Sequence, residues 1–417
     1  MSKILYIIAD GMGDLPIEQL NRKTPLAYAY KPNIDHLLSN AACAFPSVLG
    51  RLAPQSDAGV LADLGYDPTK YSTGRGWFEC LGLGMAPEDG DLSVRVNFGE
   101  VENGTLKSVR TYMSKEELRQ LEDEINEKVK LPVDFDFKAG EGYRAGLVLR
   151  KGGTKFSQYV SNNEPGYEPK FYRGGKKLSF ASKITSKKIS KISAIKNEAK
   201  NTAGLLNSFI EKAVDVVRKS ECYSRRKAAG SQLPNYVFLR DAAVGDPKLP
   251  PINSRYGHGW TAVAGMPLEK GIAKAAGMSL VETSELEDVN EDLKNKADKL
   301  AVAMSRSDAV YLHIKQTDSA SHLGKYADKY AIIEAIDRII FSRAIRLVNI
   351  GRGDTIVFTC DHATSCEQMR HINSNIPVLI VNRRFGRISD FSERACSRSP
   401  LRGIKKAIDI MPFVTGL

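Results

Sequence analysis

The 417-residue sequence predicts an α/β fold in two parts: a doubly wound, mostly parallel sheet core and a smaller α+β domain inserted into it. Two patterns predict it. Short apolar, β-branched runs alternate with helical stretches near both ends of the chain, as a parallel sheet requires. That alternation breaks off between about Tyr71 and Gly230 and then returns. The expected boundaries are 1–72 and 230–417 for the core and 73–229 for the insert. A third pattern marks where function should lie. Three apolar runs end in carboxylate or imidazole residues, and ligands of open α/β sheets gather beyond the carboxyl ends of the strands.

In chain order, Ile4–Ala9 (I-L-Y-I-I-A) reads as a buried strand ending in Asp10-Gly11. After a polar loop, Pro32-Asn33-Ile34-Asp35 opens a helix with Leu37, Leu38, Ala41 and Ala42 on one side; His36 on it reads as a surface histidine. Ser56 stands where a helix N-cap belongs, an apolar run follows, and Gly65 and Pro68 close it. It has two readings. It caps the helix, or it is a nucleophile at a helix N-terminus, where free N–H groups and the dipole favour a phosphoryl group. In the insert, 91–98 and 145–149 read as short strands, and Lys115–Lys128 and 205–218 as helices. The stretch 170–200 carries nine lysines and Arg173 against Glu198, and reads as a solvated face or mobile loop; 220–232 reads as a polar connection. Strands at 236–239 and 259–266 then reopen the core, followed by a helix at 268–276. Next come a helix at 292–305, the strand Ala309–Ile314 and a long amphipathic helix at 329–348. Strands at 355–360 and 377–381 and a helix at 401–408 close the chain.

Composition narrows the function class. Sixty basic against 49 acidic residues give a net charge of +11, which suits nucleic acid, a membrane surface or a small anionic substrate. The basic stretch has only Phe171, Tyr172 and Phe180 as aromatic residues and no nucleic-acid motif, which argues against nucleic acid. Six cysteines without C-x-x-C pairs fit a reducing compartment, and argue against a disulfide framework or a zinc ribbon. The N-terminal apolar run is too short for a signal peptide, and nothing approaches the roughly 18 apolar residues that span a bilayer. The expectation is a soluble cytoplasmic protein with no membrane partner; a homo-oligomer is compatible with it.

The chemistry gathers at the strand tips. Asp10, Asp318 and Asp361 stand at or just beyond them, and His322 follows Asp318 by four residues, on one face if the turn is helical. With His362 and His371, three of the six histidines fall in these segments. Mixed carboxylate and imidazole ligation suits manganese, zinc or iron. Six protein ligands are too many for one tetrahedral catalytic zinc. They suit two ions about 4 Å apart, a geometry that clamps phosphoryl transfer. A serine oxygen bound to one of them would lose its proton near neutral pH and become a nucleophile. Singly, each residue has an ordinary structural reading; the joint pattern points to a site.

The motifs I-I-A-D-G-M-G-D, S-D-A-G-V-L-A-D-L-G-Y-D-P, H-I-K-Q-T-D-S-A-S-H and D-H-A-T…H resemble the archaeal-type, cofactor-independent phosphoglycerate mutases of the alkaline phosphatase superfamily. T-P-L-A near Thr24, P-N-I-D at Pro32, G-R-G-W-F-E-C-L-G at Gly74, M-P-L-E-K-G-I-A-K at Met266 and F-S-E-R-A-C near Phe391 extend the similarity over most of the chain. The resemblance implies an alkaline phosphatase-like core with an inserted phosphotransferase domain. One ion would be held by Asp10, Ser56, Asp361 and His362, the other by Asp318, His322 and His371. Manganese leads, with zinc, cobalt or magnesium as alternatives. Ser56 would take the phosphoryl group from 3-phosphoglycerate and return it to the other hydroxyl, with no need for 2,3-bisphosphoglycerate. Arg95, Asn97, Arg144 and Arg240 match the family's arginine motifs and would hold carboxylate and phosphate by bidentate pairing.

The insert matches less closely. S-V-R-T-Y-M at 108–113 stands where an arginine-rich run is expected, a histidine is absent from 164–169, and Arg240-Asp241-Ala242-Ala243 replaces R-G-A-G. Gln55 precedes Ser56 and Leu323 follows His322, where the family usually has glycine and aspartate. The rival within the superfamily is therefore a metal-dependent phosphatase or kinase-like phosphotransferase acting on another small phosphoester.

Overall fold

The computed structural model of the protein describes residues 2–165, 167–171, 177–181, 187–398 and 400–417. Its first strands are β1 (Ile4–Ala9), β2 (Ala41–Ala44), β3 (Leu92–Glu102), β4 (Thr105–Ser108), β5 (Phe135–Ala139) and β6 (Arg144–Leu149). Then come β7 (Tyr167–Phe171), β8 (Lys177–Ala181), β9 (Tyr236–Val244), β10 (Trp260–Ala264) and β11 (Ser279–Glu282). The last are β12 (Ala309–Ile314), β13 (Thr355–Thr359), β14 (Ala363–Ser365), β15 (Arg370–Ile372) and β16 (Val378–Val381). The chain forms two compact units, Met1–Lys70 with Leu249–Leu417, and Tyr71–Lys248.

The first unit is built on a seven-stranded sheet in the order β11-β10-β12-β1-β13-β16-β2. β11, β10, β12, β1 and β13 run parallel; β16 lies antiparallel to β13, and β2 antiparallel to β16. β1, β12 and β13 are buried along their whole length, which is why their sequences are continuous apolar runs rather than alternating ones. The helices Ser56–Asp63 and Pro267–Ala275 pack together as one layer; Val289–Arg306, Tyr326–Ala335 and Ser342–Leu347 pack together as another. The register places the chemistry. Ala9 pairs with Ile314, and Ile8 with both His313 and Thr359, so the three parallel strands end at one edge and deliver Asp10, Lys315 and Asp361 side by side.

The second unit is antiparallel. β4-β3-β6-β5 form a path, and β9 pairs with β3. The helices Lys115–Lys128 and Lys200–Lys219 supply Leu121, Ile125, Leu206 and Phe209 to a core shared with Val94, Val96 and Leu147. β7 and β8 form a separate two-stranded ribbon. Of the basic stretch at 170–200, residues 172–176 and 182–186, Tyr172 and Arg173 included, lie outside the described residues.

Five expectations need correction. Residues 236–239 belong to β9, which pairs antiparallel with β3, so the second boundary falls at 248/249 instead of 229/230. Residues 220–232 contain the helix Glu221–Ala228, capped by the Ser220 hydroxyl, which accepts from Tyr223 N–H. The helix from Pro32 stops at Leu37, and Ala41 and Ala42 join β2 because pairing with β16 outcompetes helix continuation. The long helix expected at 329–348 is interrupted by a π turn, Ile336–Phe341. Within it Asp337 is buried, and its carboxylate accepts from the N–H groups of Asn33 (3.2 Å) and Ile34 (2.7 Å). Finally, 401–406 is not helical: Gly403 takes φ +103, and the closing helical segments are the 3-10 turn Ala407–Asp409 and the helix Ile410–Thr415.

Candidate active site

The site of the first unit starts at the helix Ser56–Asp63. Gln55, not Ser56, is its N-cap, and it makes no side-chain cap. Ser56 is the first helical residue and buried; its hydroxyl is 3.3 Å from His362 Nε2. The helix lies directly on the strand-tip backbone. A Cβ on Gly59 would stand 2.2 Å from the Asp361 carbonyl oxygen, so only glycine permits this approach.

Two groups of atoms converge here. His362 Nε2 lies 3.2 Å from Asp10 Oδ1, 3.3 Å from Asp361 Oδ2 and 3.3 Å from Ser56 Oγ. His371 Nε2 lies 3.1 Å from His322 Nε2 and 3.5 Å from Asp318 Oδ1, and His322 Nε2 lies 3.4 Å from that same oxygen. The His362 and His371 rings stack at 3.7 Å between centroids, which joins the groups. The structure thus brings together Asp10, Ser56, Asp318, His322, Asp361, His362 and His371.

Hydrogen bonds fix the imidazole tautomers. His371 Nδ1 donates to the Pro54 carbonyl (2.8 Å) and His322 Nδ1 to the Met369 carbonyl (3.1 Å). Thr364 Oγ1 donates to Asp318 Oδ1 (2.8 Å), so it accepts from His362 Nδ1 (3.0 Å). All three Nε2 lone pairs therefore point inward, the arrangement that metal-ligating histidines adopt. Asp361 spends Oδ1 on the N–H groups of Gly11 and His362, both at 3.1 Å. Its Oδ2, like Asp10 Oδ1, is buried without a hydrogen-bond partner.

Charge tells the same story. Burial alone would raise Asp10 and Asp318, but Lys315, at 2.7 and 2.5 Å from their carboxylates, holds both well below the usual range. Asp361 has no such direct partner, and burial and the Asp10 charge push it well up. Burial lowers His322 and His371, keeping them neutral. Ligands about 2.1 Å from one ion stand roughly 3.0–3.4 Å apart, close to the spacings within both groups. Inward lone pairs, orphaned carboxylate oxygens and this spacing fit divalent cations.

Three residues not foreseen as contributors belong to this site. His313 on β12 is fully buried, with Nε2 3.5 Å from Asp10 Oδ2 and 3.6 Å from Glu269 Oε1. Burial would lower it, but Glu269 and Asp10 raise it. Asp10, His313 and Asp361 also offer ligand atoms within 4.8 Å of one another, as do Asp318, His362 and His371. Lys315 and Thr364 complete the trio. The available signal was a histidine inside the apolar run A-V-Y-L-H-I, and a lysine two residues beyond it.

The second unit holds its own polar cluster. Arg95 pairs with Arg240, and Asn97 with Arg144, across adjacent strands, so the register alone gathers the four residues. Glu79 accepts from Arg75 Nε (2.8 Å) and lies 3.6 Å from Arg95 Nη1. Glu164 accepts from Asn97 Nδ2 (2.9 Å) and Arg240 Nη1 (3.1 Å). The Arg144 guanidinium lies 4.5 Å over the Tyr143 ring. Burial, and then Arg240, bring Arg95 down to about 10. Arg75, Glu79 and Glu164 were not anticipated as part of this cluster, although G-R-G-W-F-E-C-L-G contains the first two.

The sheet, with acid and imidazole groups beyond its central parallel strands, defines an α/β protein of the kind that carries its ligand site outside the carboxyl ends of the strands. Comparison with known proteins goes further. A family described as 2,3-bisphosphoglycerate-independent phosphoglycerate mutase matches residues 45–223. The protein of that name from Thermococcus kodakarensis is 35% identical over 432 residues, covering 100% of this chain and 97% of its own. Its namesake from Saccharolobus solfataricus is 36% identical over 412 residues, covering 96% and 94%. Among solved structures, PH0037 from Pyrococcus horikoshii aligns with TM-score 0.78 at 28% identity, covering 100% and 97%. Cofactor-independent phosphoglycerate mutase from Thermoplasma acidophilum aligns at 0.61 and 25%, covering 100% and 99%. The chain belongs to the 2,3-bisphosphoglycerate-independent phosphoglycerate mutase family.

Proposed function

We propose that this chain interconverts 3-phosphoglycerate and 2-phosphoglycerate by passing the phosphoryl group through Ser56, without 2,3-bisphosphoglycerate. One observation carries the reading. A buried serine hydroxyl at the first turn of a helix lies 3.3 Å from an imidazole Nε2, whose other nitrogen is tied down by Thr364. Asp10, Ser56, Asp361 and His362 would hold one divalent ion, and Asp318, His322 and His371 the other. Manganese suits this oxygen and nitrogen set, with zinc, cobalt and magnesium as alternatives. Such ions, when bound, supply positive charge that acidifies the serine hydroxyl and offsets charge on the phosphoryl oxygens.

The chain's own residues do the rest. The first turn of the helix Ser56–Asp63 would offer backbone N–H groups to the phosphoryl oxygens. Ser56 Oγ gives up its proton to the medium and attacks phosphorus, and the bond to the glycerate oxygen breaks as that oxygen takes up one proton, so the step is proton-neutral. The reverse step delivers the group to the other hydroxyl. In the second unit, Arg95, Asn97, Arg144 and Arg240 offer donors suited to a carboxylate and a phosphate. A cytoplasmic setting agrees with six buried, unpaired cysteines. No helix among the described residues is long and apolar enough to cross a membrane.

The test uses manganese-loaded protein and 3-phosphoglycerate, with enolase-coupled detection of 2-phosphoglycerate and mass spectrometry of the Ser56 peptide. Turnover and phosphate on Ser56 are expected. Ser56→Ala should lose both, by on the order of 10³-fold or more in rate. Unchanged turnover in that variant would overturn the serine route. Release of free phosphate without isomerisation would favour the phosphatase reading.

A further inference from the structure

A buried lysine that takes no part in the chemistry above joins the two loops that carry most of it. Lys329, on the helix Tyr326–Ala335, is 0% exposed. Its ammonium donates to the Thr364 carbonyl (2.8 Å), the Gly13 carbonyl (3.2 Å) and Asp14 Oδ2 (3.0 Å). An ammonium has three N–H donors, and here each has an acceptor. Two acceptors lie on the loop after β1, which begins with Asp10. The third lies on β14, which directly follows Asp361 and His362 in the segment after β13. The same loops are stitched directly: Thr364 N–H donates to the Gly13 carbonyl (2.9 Å), and Cys366 N–H to Asp14 Oδ2 (3.2 Å).

We infer that Lys329, with Asp14 as its counter-charge, is a positioning residue that sets the spacing of the two ligand groups and so tunes cation affinity. The inference rests on the metal-binding reading given above. Its route is short. Lys329 holds the Thr364 backbone, and the Thr364 hydroxyl bonds both His362 Nδ1 and Asp318 Oδ1, one ligand-type residue from each group. Thr364 therefore sets which His362 nitrogen faces inward, and outer partners of this kind govern ligand orientation. Tolerances are tight. Gly11, at φ +63, approaches so closely that a Cβ there would lie 2.6 Å from Thr364 Oγ1 and 2.8 Å from Asp318 Oδ1. A charged amine is costly to bury, and an apolar core would be the ordinary filling if only packing were needed. Polar bonds to two main-chain carbonyls specify loop position in a way that packing alone does not.

The test is manganese binding to metal-free protein, by calorimetry and by the electron paramagnetic signal of free Mn²⁺, for the intact chain and for Lys329→Met and Asp14→Asn. The wild type should bind two ions. Lys329→Met should fold, by circular dichroism, and bind both about 10–100-fold more weakly. Asp14→Asn should weaken binding in the same direction by a smaller factor. In ¹H–¹⁵N spectra of Lys329→Met, the His362 Nδ1–H resonance should shift or broaden, which a merely stabilising residue would not cause. A folded variant of either kind with wild-type affinity for both ions overturns the proposal. Loss of folding in both variants also overturns it, because the pair would then hold up the fold and not the site. A wild type that binds no manganese removes the metal reading, and this inference falls with it.

Discussion

At the scale of single residues, Glu79 shows how a buried acid is kept charged. Burial opposes its ionisation, but Arg95 and Arg75 bring it from the ordinary 4.5 to about 2. A folded value below the unfolded one means that the stability it contributes is complete above pH 4.5. It is lost as pH falls through about 2. Part of the gain offsets the burial of Arg95, so Glu79→Gln should cost about 1–3 kcal/mol at pH 7. Urea unfolding of both proteins should show the gap narrowing between pH 4.5 and the lowest workable pH. A gap independent of pH would show that Glu79 acts by shape alone. Residue identity also marks where reading ahead was feasible. Asp10, Asp318, Asp361 and the histidines at 322, 362 and 371 stand out together because they gather in three short segments, although each alone has an ordinary reading. Lys329, Thr364 and Glu164 did not stand out. A lysine in a helix, or a threonine in a turn, gains meaning only from partners tens to hundreds of residues away.

At the scale of elements, the helix Lys115–Lys128 has a complete capping box: the Ser114 hydroxyl accepts from Glu117 N–H, and the Glu117 carboxylate accepts from Ser114 N–H. Ser114→Ala should lower stability by about 1 kcal/mol, while Ser114→Asp should stay near wild type, as thermal melts can check. An equal loss in both variants would mean that the box matters through Glu117 and not through its cap. Strands with two buried faces were legible as well, because β1, β12 and β13 are apolar without interruption. What could not be read was the sheet a strand joins. β9 comes last in the insert, yet its partner β3 begins at Leu92, and no periodicity encodes that pairing. Local signals likewise favoured helix at Ala41 and Ala42, where pairing with β16 decides for strand.

At the scale of the whole molecule, three carboxylates, three inward lone pairs and one lysine are packed beyond a single sheet edge. A cation that binds this arrangement and not the unfolded chain stabilises the fold by mass action, by about 3 kcal/mol per site at a hundredfold excess over Kd. Chelator treatment should therefore lower the melting temperature, and manganese should restore it. Melts that ignore both would count against the cation reading however the activity behaves.

The sheet's order also dictates a timetable for synthesis. β1 leaves the ribosome long before either of its neighbours, because β12 and β13 both come from beyond residue 308. At ordinary elongation rates the strand waits about 15–60 s for them, an apolar ribbon with two open edges. The segment Tyr71–Lys248 is translated whole within that interval. A nascent chain halted before Ala309 would therefore present Ile4–Ala9 to chaperones or to another copy of itself, a route to aggregation that the finished sheet closes.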